Sequence, residues 1–151
     1  MKKILVSACL MGLRCRYDGR DAFDPGIKKI EKKFVLIPVC PEVMGGLIIP
    51  RDEATIDGGD GENVWECGVS VMSKKGRSVT DFFKKGAAET LQLARYLNVY
   101  DIVLKENSPS CGVFFTNSDF KRIEGMGVTS FLLKKNGFNI DNIESFTRRE
   151  L

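Results

Sequence analysis

Three short apolar runs constrain this chain more than any other feature: residues 3–7, 34–39 and 101–104, each rich in Val, Ile and Leu. None alternates cleanly with polar positions, so each reads as a strand covered on both faces. Helical signals separate them. A short basic helix is expected around residues 27–33. Thr80 can cap a longer one, in which Phe83, Ala87, Leu91, Ala94 and Leu97 recur at three and four residues and Asn98 ends the pattern. Another helix is expected from Thr129 through Leu133 to a stop at Gly137. Strands alternating with helices specify an α/β domain with a mainly parallel sheet. With 151 residues the chain has the length of one domain. We therefore expect a single three-layer Rossmann-like domain over residues 1–151. A small strand or hairpin insertion is expected at residues 57–73, where an Asp57-Gly58-Gly59-Asp60-Gly61 turn leads into Val64–Met72.

The chain has five cysteines and no histidine. Ser-His-Asp and Cys-His catalysis are therefore excluded, as is a zinc site built from two cysteines and two histidines. Cys9 comes two residues after Ser7, just beyond the first apolar run. Cys40 directly follows the second, and Cys111 lies in the Asn107-Ser108-Pro109-Ser110-Cys111-Gly112 loop after the third. In open α/β sheets, ligands bind beyond the carboxyl ends of the strands. Parallel strands would bring these three thiols to one edge. Buried cysteine also serves as a small hydrophobe, but the neighbouring Gly12, Gly45-Gly46 and Gly112 suggest loops that approach a ligand closely. Three thiolates fit zinc with one open position, or three irons of a [4Fe–4S] cluster. Spacing does not choose between them. Cys15 and Cys67 are spare, with Cys15 close enough to Cys9 to be a fourth ligand. A phosphatase-type cysteine loop fails on register, because the position six residues after Cys9 is Cys15 and after Cys111 is Asn117, not Arg.

Charge adds little. The net charge of +3 comes from scattered basic pairs, so nucleic-acid binding is not indicated. Only three strongly apolar residues separate Lys3 from Ser7, too few for an export signal, and no run approaches a membrane span. A cytoplasmic protein with reduced thiols is expected.

Four stretches resemble the bacterial family known as domain of unknown function 523, some members of which are described as thiouracil desulfidases. They are Val6-Ser7-Ala8-Cys9-Leu10 with Arg16-Tyr17-Asp18-Gly19; Ile37-Pro38-Val39-Cys40-Pro41-Glu42-Val43 with Gly45-Gly46-Leu47; Leu104-Lys105-Glu106-Asn107-Ser108-Pro109-Ser110-Cys111-Gly112; and Gly125-Met126-Gly127-Val128-Thr129. They run from end to end of the chain. Cys15, Cys67 and the Trp65 segment stand outside the shared pattern. The chain ends soon after the Thr129 helix, as in a short single-domain form.

The resemblance implies that Cys9, Cys40 and Cys111 carry a [4Fe–4S] cluster, inserted by cluster-delivery proteins. It implies non-redox desulfuration of a thiolated pyrimidine base or nucleoside, with an open iron polarising the C=S bond as water attacks. Glu42 is then the first candidate to assist that water, Ser108 a partner that orients substrate or water, and Asp18 a third choice that equally suits a turn. Glu42 pairing with a nearby Arg is the alternative for that residue. The Gly125-Met126-Gly127 loop suits a helix N-terminus presented to a polar ligand, or a plain cap. Arg14 and Arg16 are candidates to balance thiolate charge. The competing functions are a non-catalytic metal or sulfur carrier using the same cysteines, and a protein acting on thiolated RNA. A monomer or homodimer is expected.

Overall fold

A computed structural model describes residues 1–151. Along the chain it contains β1 (Lys2–Ser7), a 3-10 turn (Ala8–Met11), α1 (Ile27–Ile30), β2 (Phe34–Val39), α2 (Pro41–Met44), β3 (Ala54–Ile56), α3 (Gly61–Glu66), β4 (Val71–Ser73), α4 (Thr80–Leu97), β5 (Asp101–Val103), β6 (Phe115–Ser118), β7 (Lys121–Glu124), α5 (Val128–Lys135), β8 (Asn139–Asp141) and α6 (Ile143–Glu150). The first sheet has the order β2-β1-β5-β8 with every pair parallel.

Alternation along β1 explains why this sheet is covered on both sides. Ile4 and Val6 pack with Ile27, Ile30 and Phe146 on the α1/α6 face. Leu5 packs with Leu91, Ala94 and Leu133 on the α4/α5 face. Both sets are apolar, so the strand reads as one unbroken run. The result is the three-layer, Rossmann-like α/β arrangement. β2 lies at an edge, where Pro38 costs no ladder bond to a further strand.

The second sheet has the order β4-β3-β6-β7 and is mixed: β3 runs parallel to β6, while the β3/β4 and β6/β7 pairs are antiparallel. It exceeds the hairpin expected from residues 57–73. Within that segment, residues 61–66 are helix, not strand, and only Val71–Ser73 joins the sheet. The cause is Asp60, which caps α3 in a reciprocal box: it accepts from the Asn63 N–H at 3.1 Å, and Asn63 accepts from the Asp60 N–H at 3.0 Å.

α4 joins the two sheets. Phe83 and Ala87 pack beneath the second, Leu91 and Ala94 beneath the first. Asn98 ends it in the left-handed region, φ 53°. Thr80 is its first residue rather than its cap, and the Thr80 hydroxyl accepts the Val71 N–H of β4 at 2.9 Å. α5 begins at Val128 and is followed by Gly137 at φ 90°. Contrary to expectation it is not the last helix: β8 and α6 follow, and they complete the sheet and its second face. No helix is long and apolar enough to cross a membrane.

Candidate active site

β1 and β5 lie side by side, yet their connections leave in opposite directions, to β2 and to β8. Such a reversal opens a crevice at the carboxyl ends of the strands. A cavity of about 170 Å³ occupies it. Cys9, Cys40 and Cys111 all line this cavity, and so do Cys15, Glu42, Arg51, Ser108 and, from the second sheet, Asn117. The convergence expected from strand ends is thus present in the fold. Cys9 and Cys111 are 9% and 6% exposed.

The Cys111 loop is held from three directions. Ser108 Oγ accepts the N–H groups of Ser110 at 3.1 Å and Cys111 at 3.0 Å. Its lone pairs are then committed, and the Ser108 O–H remains a donor. The start of α5 clamps the same loop: Gly127, Val128 and Thr129 donate backbone N–H groups to Gly112, Pro109 and Ser110 at 2.8, 2.8 and 2.9 Å. Two readings of this helix start were open, a polar-ligand site and a plain cap, and the loop's own carbonyls take its N–H groups. A Cβ at Gly127 would lie 2.4 Å from the Ser110 carbonyl oxygen and 2.8 Å from the Cys111 nitrogen. Glu106 closes the far side, accepting from Val113 N–H at 2.7 Å and from Asn142 Nδ2 at 2.9 Å.

Cys40 precedes α2 in extended conformation, with Pro41 at the first helical position. α2 lies close against α4. A Cβ on Gly86 would come within 1.9 Å of the Pro41 oxygen, and one on Gly45 within 2.0 Å of the Phe82 oxygen. Gly45 and Gly112 thus serve chain-to-chain packing, since a Cβ on Gly112 would meet the Phe115 oxygen at 2.2 Å. The expectation of glycines yielding to a ligand does not hold at these two positions. The Cys40 thiol donates to the Cys15 carbonyl at 3.8 Å, and Arg51 Nη2 donates to the same carbonyl at 3.0 Å. Arg51 Nε donates to Glu42 Oε1 at 3.1 Å. Glu42 is therefore paired with an arginine and still lines the cavity, its Oε2 free of protein partners.

The electrostatics suit a site completed by cations. Burial pushes the Cys111 thiol up to about 12, and the neighbouring Cys40 and Glu42 add to the rise. The Cys40 thiol is raised by its contact with the Cys15 side chain and by burial. Burial also raises Glu42, against the opposing pull of Arg51 and Arg16. Thiolates at Cys40 and Cys111 beside the Glu42 carboxylate would concentrate negative charge in a low dielectric, which bound cations would offset. No three acidic or sulfur side chains converge tightly enough for a single ion. One tetrahedral zinc needs sulfurs roughly 3.8 Å apart, from Zn–S bonds near 2.3 Å. A cluster instead spreads its thiolates over separate irons, one to each.

Of the other residues singled out in the sequence, Asp18 is outside the cavity lining, its carboxylate accepting the Arg20 N–H at 2.9 Å in a local turn. Arg14 is exposed and away from the lining, whereas Arg16 is part of it. Cys67 is exposed at the end of α3. Cys15 is at the site: its side chain contacts those of Cys9 and Cys40. Arg51 and Asn117 carried no motif, because neither neighbours a cysteine in sequence.

A model of the 2-thiouracil desulfurase family matches residues 4–144. The chain belongs to that family. It is 45% identical over 142 residues to YbbK, an uncharacterized protein of Bacillus subtilis strain 168, in a match that covers 91% of this chain and 93% of that one. The solved structure of the [4Fe-4S]-dependent thiouracil desulfidase TudS superposes with a TM-score of 0.80 at 32% identity, over 98% of this chain and 95% of that one.

Proposed function

We propose that this chain is a [4Fe–4S]-dependent desulfidase that converts a thiolated pyrimidine, as base or nucleoside, to its oxo form. The carrying observation is that Cys9, Cys40 and Cys111 line one cavity with Glu42 beside them. In the balanced reaction, water adds its oxygen to the thiocarbonyl carbon, the C=S bond breaks, and sulfur leaves with both protons as hydrogen sulfide; no electrons are exchanged. A cluster on three thiolates supplies an iron with an open position, a Lewis acid for sulfur.

The chain's residues supply the rest. Arg51 holds Oε1 of Glu42, a cavity-lining residue, and leaves Oε2 without a protein partner, an arrangement suited to taking a proton from water at a fixed place. Ser108, with only its O–H to give, donates to substrate or water rather than acting as a base. Asp18 has no part in this reading.

The test is anaerobic purification followed by metal analysis and a sulfide assay. A brown protein with about four irons per chain that releases sulfide from 2-thiouracil is expected. A colourless, zinc-loaded protein that releases none would overturn the reading in favour of a carrier.

A further inference from the structure

Asn117 of β6, a strand of the second sheet, lines the same cavity as the cysteines. Its amide is oriented by a hydrogen-bond chain of fixed polarity. The Phe120 backbone N–H donates to Thr55 Oγ1 at 2.9 Å. The Thr55 hydroxyl donates in turn to Asn117 Oδ1 at 2.5 Å. Thr55 Oγ1 already accepts the Phe120 N–H and has its own O–H to give, and the amide oxygen takes it. Thr55 is 4% exposed, which keeps water from competing for the contact. The Asn117 side-chain amino group has no protein partner, and the cavity wall therefore presents a donor.

In 2-thiouracil, the ring carbonyl meta to the thiocarbonyl is an acceptor. In 2-thiocytosine, an amino donor takes that place. We propose that Asn117, oriented by Thr55, reads this ring position and selects 4-oxo over 4-amino thiopyrimidines. The inference rests on the desulfuration reading for its substrate class. A donor facing a donor in a buried site leaves both unsatisfied, and the discrimination expected is roughly 10- to 100-fold. Thr55 is a positioning residue, since it acts only through the amide.

The experiment uses the cluster-loaded protein and measures both sulfide release and binding of sulfur-free uracil and cytosine. Wild type is expected to favour 2-thiouracil over 2-thiocytosine in kcat/KM, and uracil over cytosine in Kd, by about tenfold or more. Asn117→Asp, which replaces the donor by an acceptor, should lose or invert that preference. Thr55→Val should retain its iron yet shrink the ratio, because the freed amide can rotate; this variant keeps the test open if Asn117→Asp folds poorly. Equal turnover of both thiopyrimidines by wild type, or an unchanged ratio in both variants, would overturn the Asn117 assignment and leave desulfuration standing. Discrimination between uracil and cytosine without sulfide release from either thiopyrimidine would overturn desulfuration and leave Asn117 in place.

Discussion

Arg51 and Glu42 form a 3.1 Å ion pair in which the guanidinium is 7% exposed and the carboxylate 18%. The pairing occupies one carboxylate oxygen and leaves the other without a protein partner. The same guanidinium also reaches the Ile48 and Cys15 carbonyls. It thus ties the Cys15 loop to the first turn of α2.

Glu42→Gln keeps an acceptor for Arg51 but removes the base. It should retain its iron and colour and lose desulfuration by about 100-fold or more, the scale of general-base catalysis. Sulfide release compared with iron content checks this. Full activity in the variant would remove Glu42 from the mechanism.

Arg51→Met should destabilise the fold by about 3 kcal/mol, since it strands a largely buried carboxylate. Combined with Glu42→Gln it should cost less than the sum of the two single changes, because the charge left unpaired is gone. Urea midpoints of the four proteins measure the coupling. Strict additivity would mean that the pair contributes nothing.

Gly127→Ala drives a Cβ into the Ser110 carbonyl and Cys111 nitrogen. It should cost on the order of 2 kcal/mol and reduce iron retention by displacing the Cys111 loop. Gly137→Ala offers the contrast, since its left-handed φ of 90° is strained but no atom lies within 4 Å of a new Cβ. That change should cost about 1 kcal/mol with iron unaffected. Equal iron loss in both variants would refute the clamp.

Replacing Cys9, Cys40 or Cys111 by Ser should abolish cluster binding, whereas Cys67→Ser should leave it intact. Cys15→Ser should also keep about four irons per chain, because three thiolates complete the ligand set, serine keeps a polar side chain beside Cys9 and Cys40, and the Arg51 contact is to the Cys15 backbone carbonyl. Iron loss on that change would add Cys15 to the ligand set.

Asp101 makes the acid limb of stability predictable. Burial pushes its carboxyl up, but Lys2, Asn139 and Arg149 outweigh burial and hold it below the ordinary carboxylate value. The folded chain then binds this proton less tightly than the unfolded chain. The stabilisation is complete above about pH 4 and vanishes as pH falls through the folded value. Asp101→Asn should therefore be less stable by about 1 kcal/mol at pH 7, since the cations it leaves, Lys2 and Arg149, are 59% and 40% exposed, with a gap that narrows in acid. Urea titrations at pH 7 and pH 3 would show this, and a constant gap would contradict it.

Residue order alone carried three strands of the first sheet, β1, β2 and β5, and the place of its thiols. The runs at β1, β2 and β5 are apolar on both faces, and Cys9, Cys40 and Cys111 follow them closely in sequence. The helical stripe of α4 was equally plain, because a buried face recurs every three to four residues. Such patterns are local, and the resemblance to a desulfidase family rests on the same stretches. The second sheet was not legible: β3 and β4 are three residues long, too short for a period-two signal, and Asp60 turned an apparent strand into a helix. β8 and α6 were missed for a similar reason, since three strand residues and an eight-residue helix present little apolar pattern.

Only the tertiary structure decided the polar wiring. Thr55 and Asn117 are 62 residues apart, and Cys15 and Arg51 are 36 apart. The clamp of α5 on the Cys111 loop likewise depends on where two backbones cross. Periodicity reports which face of an element is buried, because the hydrophobic effect acts on every residue of that face. A single directional hydrogen bond acts on one pair of atoms, and it leaves no repeat in the sequence from which its partner could be read.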